Sequence, residues 1–490
     1  LQFVPCSGGK EGRKLVNHPG VNAVILTGGT STALTMVRDN PRLHLFAETG
    51  GKDATIVTAV SDRDQAIKHI LHSAFSHAGQ KCSATSLLLL QDEVYDDATF
   101  RRALCEAAQS MMTGSAWELD TKMGPLIKHP SGDLETALKV LEPGEEWALM
   151  PQPLNGNPNL WSPGIKYGVR SGSFTHMTEF FGPVLAVMRF ETLNEAVALV
   201  NQTGYGLTSG LESLDEREWD YWKEHIHAGN LYVNRVTTGA IVLRQPFGGL
   251  GKSVFGPGMK AGGPNYVAQF MEIEDVPGPS STATPSLPTL AALYDALRAL
   301  ALPETDRILT ALASYDRYRR EEFGREHDHF NLVGQDNFRR YLPVQSVRIR
   351  IHPDDTAFDI FARACAAHAA GCPVTISSPP VLQSEARNIL EKLTESWAGA
   401  IEFVEESDEH LIQAIRERQT DRVRYAAPDR VPAAVLQAAP ESGVCVVSRR
   451  VSMEGRLEML WYLQEQSLSI DYHRYGNLGV RANEPRAEVL

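Results

Sequence analysis

Cys82 is the residue with the most chemistry to offer. It lies in FSHAGQKCSATS, between a turn led by Gly79 and the small residues Ser83 and Ala84. HILHSAF before it reads as a helix and TSLLLLQDEVY after it as a buried strand. A cysteine on the loop between them is placed to face a cleft as a nucleophile. Lys81 and nearby backbone N–H groups are expected to favour its thiolate. The other reading is a small buried apolar residue, which most free cysteines are. Two carboxylates stand further off: Glu48 in FAETGGKDATIV, 34 residues earlier, and Glu179 in EFFGPVLAV, 97 residues later. Glu48 precedes Gly50-Gly51, where the backbone can bend tightly; a surface glutamate beside a turn is the alternative. His69 and His72 are three apart, but no carboxylate or cysteine stands at ligand spacing. Core or solvated histidines are expected there, and no metal.

The elements that must position these groups alternate along the chain. LQFVPCSGGKEGRKLVNHPGVNAVILTGGTSTALTMV reads as strand, helix, strand, turn, helix. VNAVILTGG ends on Gly28-Gly29 before a helix opens at TSTALTMVRDN, and such a junction suits phosphate through unpaired N–H groups and the helix dipole. RLHLFAETGGKDATIV reads as strand, sharp turn, strand. DRDQAIKHILHSAF is helical, with Phe75 either lining a pocket or packing the core. DDATFRRALCEAAQSMM is a further helix, PQPLNGNPNLWSPGIKYG a loop, and THMTEFFGPVLAVMRF brings a strand.

ETGGK, GQKCSA and EFFGPV, in this order and at these separations, resemble the aldehyde dehydrogenase superfamily over roughly residues 1–275. The resemblance implies that Cys82 is the nucleophile and that Glu48 activates the water that hydrolyses the acyl-enzyme. It implies NAD as cofactor, with Gly28 and Gly29 at the pyrophosphate, Glu179 on the nicotinamide-side ribose and Phe181 near the nicotinamide. Many members carry serine where Gly29 stands, so a hydroxyl contact is absent. TTGAIV, QPFGG and KAGGPNY resemble the glutamate-semialdehyde (pyrroline-5-carboxylate) dehydrogenase branch. This implies that Gly239 and Ala240 offer N–H groups to an α-carboxylate, that Lys81 and Ser83 add a charge and a hydroxyl, and that Phe247 packs on the aliphatic stem. A glycine-rich structural turn is the plainer reading. A scaffold segment, or a dehydrogenase for another semialdehyde such as succinate semialdehyde, are the alternatives.

The composition is that of a globular protein. Of 490 residues, 43% are hydrophobic and 22% charged, enough for two or three domains. A net charge of −13 argues against nucleic acid and against an anionic membrane surface. The six cysteines, Cys6, Cys82, Cys105, Cys365, Cys372 and Cys445, show no zinc or dithiol spacing, so a reducing, cytoplasmic setting is expected. No apolar run reaches membrane-spanning length. A small-molecule substrate and a homo-oligomer are expected. The first residue is Leu1, so the chain is expected to begin inside something longer and to be inactive alone if family elements precede it.

DVPGPSSTATPSLPT reads as a linker, after which LAALYDALRAL and ETDRILTALASYDRYRREEF are helical. From 347 on, VRIRIHP, CPVTISSPP, AIEFVEE, DRVRYAA and GVCVVSR alternate with helical runs, which implies a parallel sheet with crossover helices. No phosphate-binding glycine motif appears, so this part reads as architectural. GQDNFRRYLPV and SIDYHRYGNLG resemble the C-terminal domain of long proline utilization A proteins. That resemblance implies a non-catalytic relative of the dehydrogenase fold, with FAD only in a preceding proline dehydrogenase portion. YHRYGNLGVRANEP is expected as a strand augmenting a neighbouring sheet. The fold class is therefore α/β: the C-terminal portion of an aldehyde dehydrogenase fold plus a second Rossmann-like domain. The expected division is 1–48, end of the NAD-binding domain; 49–274, catalytic; 275–288, linker; 289–346, helical connector; 347–490, non-catalytic C-terminal domain.

Overall fold

The computed structural model describes residues 1–6, 9–276, 283–300, 302–397 and 399–485. The apolar run Leu87–Gln91 becomes a central strand of a nine-stranded sheet, between Ala54–Val57 and Val184–Phe190 and parallel to both. Side chains alternate across a strand. Leu88 and Leu90 accordingly join one apolar cluster with helices Arg63–Phe75 and Ala98–Gln109. Leu87 and Leu89 join another with helices Leu193–Gln202 and Glu216–His225. A strand covered on both faces needs this unbroken run. Helix starts are fixed locally: Asp62 accepts from Gln65 N–H at 3.3 Å, and Thr192 accepts from Glu195 N–H at 3.3 Å.

Across the sheet the order is Gln335–Pro343, Leu463–Asp471, Asn230–Val233, Thr208–Glu212, Ala54–Val57, Leu87–Gln91, Val184–Phe190, Gly164–Tyr167, Glu146–Leu149. The two outermost strands are antiparallel to their neighbours and the rest are parallel. A smaller sheet pairs Val24–Thr27 in parallel with Leu45–Glu48, which pairs antiparallel with Val254–Phe255. Glu48 thus ends a strand of the small sheet and Ala54 begins one of the large sheet. Residues 49–53 cross between them.

The second part forms the expected parallel sheet, ordered Ile401–Glu405, Val374–Ser378, Val347–Arg350, Arg422–Arg424, Cys445–Val447. Helices Ala357–Ala369, Glu385–Leu393, Asp408–Arg416 and Ala433–Ser442 connect its strands. The buried pair Arg424–Glu458, at 2.9 Å, holds this unit to the turn before Leu463.

Four expectations are corrected. The stretch 151–168, expected as a loop, holds the strands Pro153–Leu154, Asn157–Trp161 and Gly164–Tyr167, the first two a hairpin around Asn155-Gly156 and the third inside the large sheet. Residues 1–6 carry no strand. The connector expected as helical over 289–346 contains helices Pro288–Leu300 and Thr305–Tyr318 but ends in the strand Gln335–Pro343. The strand that augments the neighbouring sheet is Leu463–Asp471, not the stretch from Tyr472 on; Gly479–Asn483 is a short helical turn. Of the expected linker, residues 277–282 lie outside the described residues. His69 Nδ1 lies 3.0 Å from Glu212 Oε1, a buried carboxylate. Phe75 is fully buried in the core. Among the described residues no helix is long and apolar enough to cross a membrane.

Candidate active site

The Cys82 loop is set by backbone that few side chains permit. His77, Ala78 and Gly79 all take left-handed φ, at 58°, 54° and 67°. At Gly79 a Cβ would lie 2.2 Å from the carbonyl oxygen of Gly182, so only glycine allows this approach. Gln80 clamps the same contact: its Nε2 donates to Phe181 O at 3.2 Å and its Oε1 accepts from Ile127 N–H at 3.0 Å. On the other side, Thr237 Oγ1 donates to Ser83 O at 3.0 Å, and Thr237 N–H donates to Ser73 Oγ at 3.1 Å. Thr85 stands between Thr55 and Thr237 at 2.9 and 3.2 Å. The loops around residues 50, 82, 181 and 237 are therefore fastened to one another.

Cys82 is partly exposed at this junction. Its N–H donates to no protein acceptor among the described residues. Its thiol is pushed up to about 11, by burial first and then by Asp53; the Ser83 N–H and Lys81 pull it down, and Glu179 pushes it up. The expected thiolate is thus corrected. Lys81 and the N–H act in the expected direction, but burial outweighs them. Asp53 is itself raised well above the usual carboxylate range by burial, so it acts on the thiol only where it is ionised.

Glu179 meets the 49–53 crossing. Its Oε1 accepts from Gly51 N–H at 3.2 Å, and a Cβ on Gly50 would fall 1.9 Å from its Oε2. Burial raises its carboxyl, against the Gly51 N–H and Lys52. Lys52 is 2% exposed, with Nζ 4.1 Å from the Phe180 ring centre, and burial lowers it to about 7. Phe181 is 39% exposed and itself left-handed, at φ 54°. Glu48, two residues before Gly50, accepts from Gly249 N–H at 3.2 Å on Oε2. Burial raises it to about 7, against Lys260 and that N–H. Gly28 and Gly29 close the strand paired with that of Glu48, Thr27 opposite Glu48, so the glycine turn and this carboxylate share one end of the small sheet. Gly28 N–H donates to Glu48 O at 3.2 Å, and Gly29 caps the helix Thr30–Asp39 with no side-chain cap.

The remaining sequence candidates are brought to the same region. Gly239 has φ 86° and open space where a Cβ would be; Gly239 and Ala240 are exposed. Their N–H groups donate to no protein acceptor among the described residues. Thr237 ties their loop to Ser83. Lys81 is half-buried, while Ser83 is 3% exposed. Phe247 is paired with Ala261 through two hydrogen bonds of 2.9 Å, directly before the Gly248-Gly249 pair beside Glu48. Sequence reasoning missed Lys52, Asp53, Thr237, Tyr266, Lys260 and Glu465. For Lys52 and Asp53 the signal was adjacency to TGG, for Thr237 the stretch TTGAIV, and for Lys260 and Tyr266 the stretch KAGGPNY; for Glu465 none was local.

A family model described as the aldehyde dehydrogenase family matches residues 1–276. The chain belongs to the aldehyde dehydrogenase family. It is 34% identical to 1-pyrroline-5-carboxylate dehydrogenase from Bacillus cytotoxicus over 282 residues, 56% of this chain and 54% of that one. It is 34% identical to 1-pyrroline-5-carboxylate dehydrogenase 2 from Bacillus subtilis over 287 residues, 56% of this chain and 55% of that one. The chain spans about half the length of these curated relatives. A solved structure of proline utilization A from Corynebacterium freiburgense matches 96% of this chain and 44% of its own, with TM-score 0.80 and 37% identity. Both units of this aldehyde dehydrogenase family chain thus have a counterpart in one solved structure.

Proposed function

We propose that the chain carries the machinery for NAD-dependent oxidation of L-glutamate γ-semialdehyde to glutamate, through a thioester on Cys82. The names of the relatives support the substrate class. The observation that carries the chemistry is the fastening of the Cys82 loop, the Glu179 loop and the Glu48–Asp53 crossing into one site.

The residues present fit NAD. Glu179 is seated against a glycine that a side chain would displace, and the Gly28–Gly29 turn leaves a helix N-terminus uncapped. Gly28 and Gly29 would hold the pyrophosphate, Glu179 the ribose hydroxyls, and Phe181 would rest by the nicotinamide. When bound, NAD supplies the hydride acceptor.

The chain's own residues do the rest. Cys82 Sγ, once its proton is lost, attacks the aldehyde carbon, and the Cys82 N–H is free to receive the oxyanion. Loss of hydride leaves the acyl group on Sγ. Glu48, held near 7, is poised to take a proton from water at neutral pH; the resulting hydroxide displaces Sγ and releases the acid. Gly239 and Ala240 N–H groups, with Lys81, would receive the substrate's α-carboxylate.

In the full chain, Cys82→Ala is expected to abolish turnover while calorimetric NAD binding persists; retained turnover contradicts the nucleophile assignment. Glutamate semialdehyde is expected to be oxidised in preference to succinate semialdehyde, and equal rates contradict the substrate reading.

A further inference from the structure

One buried lysine has no part in the reaction as written. Lys260 is 0% exposed, and its Nζ donates to the carbonyl oxygen of Gly248. The N–H of the same peptide unit belongs to Gly249, and it donates to Glu48 Oε2 at 3.2 Å. A trans peptide sends its C=O and N–H to opposite sides, and the described residues contain no cis bond. One amide therefore stands between an ammonium and a carboxylate. An ammonium on the carbonyl polarises the amide and strengthens its N–H as a donor.

The surroundings are built for this arrangement. Asn230 Nδ2 donates to the same Gly248 oxygen at 3.0 Å, and its Oδ1 lies 3.5 Å from Lys260 Nζ. A Cβ on Gly229 would fall 2.6 Å from Nζ, and one on Gly248 would fall 3.0 Å from Glu48 Oε1. Both glycines are what let the charges approach the peptide. Lys260 feels both the Glu48 and the Glu465 carboxylates, and Glu48 also faces Tyr266. Glu465 is 3% exposed, accepts from Asn265 Nδ2 at 2.8 Å, and faces Arg339 and Arg456.

We propose that Lys260 is the positioning residue for Glu48, holding its carboxylate charged and oriented through the Gly248–Gly249 peptide. Glu465, from the strand Leu463–Asp471, keeps that ammonium compensated when Glu48 is protonated. The role rests on the oxidation reading above for its purpose, but the contact is testable without turnover. Burial lowers Lys260 only to about 8, against the pull of Glu48 and Glu465, so it is charged at neutral pH.

The test is a pH titration of the Glu48 carboxyl in the full chain, followed as the infrared difference between each protein and its Glu48→Gln counterpart. Lys260→Met is expected to raise the midpoint by about one pH unit, about tenfold in proton affinity. Lys260→Gln, which keeps a donor without the charge, is expected to raise it too, and stands in should the Met variant not fold. Lys260→Arg is expected to restore most of the original midpoint. An unchanged midpoint in the Met or Gln variant overturns the proposal. Where turnover is measured, its acid limb is expected to move with the midpoint while the KM for NAD stays fixed. Turnover with no preference for glutamate semialdehyde overturns the substrate reading and leaves the titration to decide the role of Lys260.

Discussion

At the scale of single residues, Cys82 and Glu48 are tuned in the same direction by the same cause. Burial holds the thiol near 11 and the carboxyl near 7. A thiol in that state is quiet at neutral pH, which protects it until a substrate and a base are in place. The alkylation rate of Cys82 is therefore expected to climb about tenfold per pH unit from 7 towards 11. Its measurement by mass spectrometry against a slow thiol reagent checks this; a rate that levels off below pH 8 contradicts the buried thiol. Turnover needs ionised Glu48, so it is expected to rise as pH climbs through about 7.

At the scale of elements, the site depends on loops whose positions are set by neighbours distant in sequence. Gly79 shows the constraint. Gly79→Ala must relieve both a left-handed φ and a 2.2 Å approach to Gly182 O. It is expected to cost about 2 kcal/mol or more of stability and to disorder the Cys82 loop, read by denaturant unfolding. A second device lies at the entry of helix Pro288–Leu300. Asp316 accepts from Ser286 N–H at 2.7 Å and Leu287 N–H at 3.2 Å. Burial pushes its carboxyl up, but Ser286 and Arg319 outweigh it and hold it at about 2. A depressed carboxyl stabilises the fold above its unfolded value and loses that contribution as pH falls through about 2. Asp316→Asn is therefore expected to be less stable at pH 7, with the difference vanishing near pH 2. A difference independent of pH contradicts the assignment.

The parts readable in the sequence were those whose signal is local. LLLL announced a doubly covered strand, and glycines beside Cys82 and Glu48 announced tight loops. Gln335–Pro343 and Leu463–Asp471 gave no such signal, because most of their buried positions are polar: Asp336, Asn337, Arg339 and Arg340 on one, Glu465, Gln466, Ser467 and Ser469 on the other. Most of these side chains find their partners in residues distant in sequence. Gln245 donates to Asn337 Oδ1 at 2.5 Å, Ser469 Oγ to the same oxygen at 2.7 Å, and Gln466 to Ala228 O at 2.8 Å. Hydrophobic periodicity is silent about such strands, and it was silent about Lys260 for the same reason.

At the scale of the whole molecule, the two units are not independent. The chain leaves the large sheet after Val233, returns to it at Gln335–Pro343, builds the second unit, and returns again at Leu463–Asp471, which lies between Gln335–Pro343 and Asn230–Val233. Arg422 Nη2 donates to Pro257 O and Nη1 to Trp461 O, each at 2.7 Å, and Arg340 reaches Glu224 at 2.8 Å. Shared strands couple unfolding. Calorimetry is expected to show one cooperative transition for both units; two separated transitions contradict the coupling.

The central claim is that one cleft joins a sulfur that takes up the acyl group to a carboxylate that brings water to release it. Intact-protein mass spectrometry of Glu48→Gln, given NAD and glutamate semialdehyde, tests it most directly. One acyl adduct per chain on Cys82 is expected, with a single equivalent of reduced cofactor formed at once and little thereafter. A chain that remains unmodified while forming no reduced cofactor, or that turns over as fast as the unsubstituted protein, contradicts it.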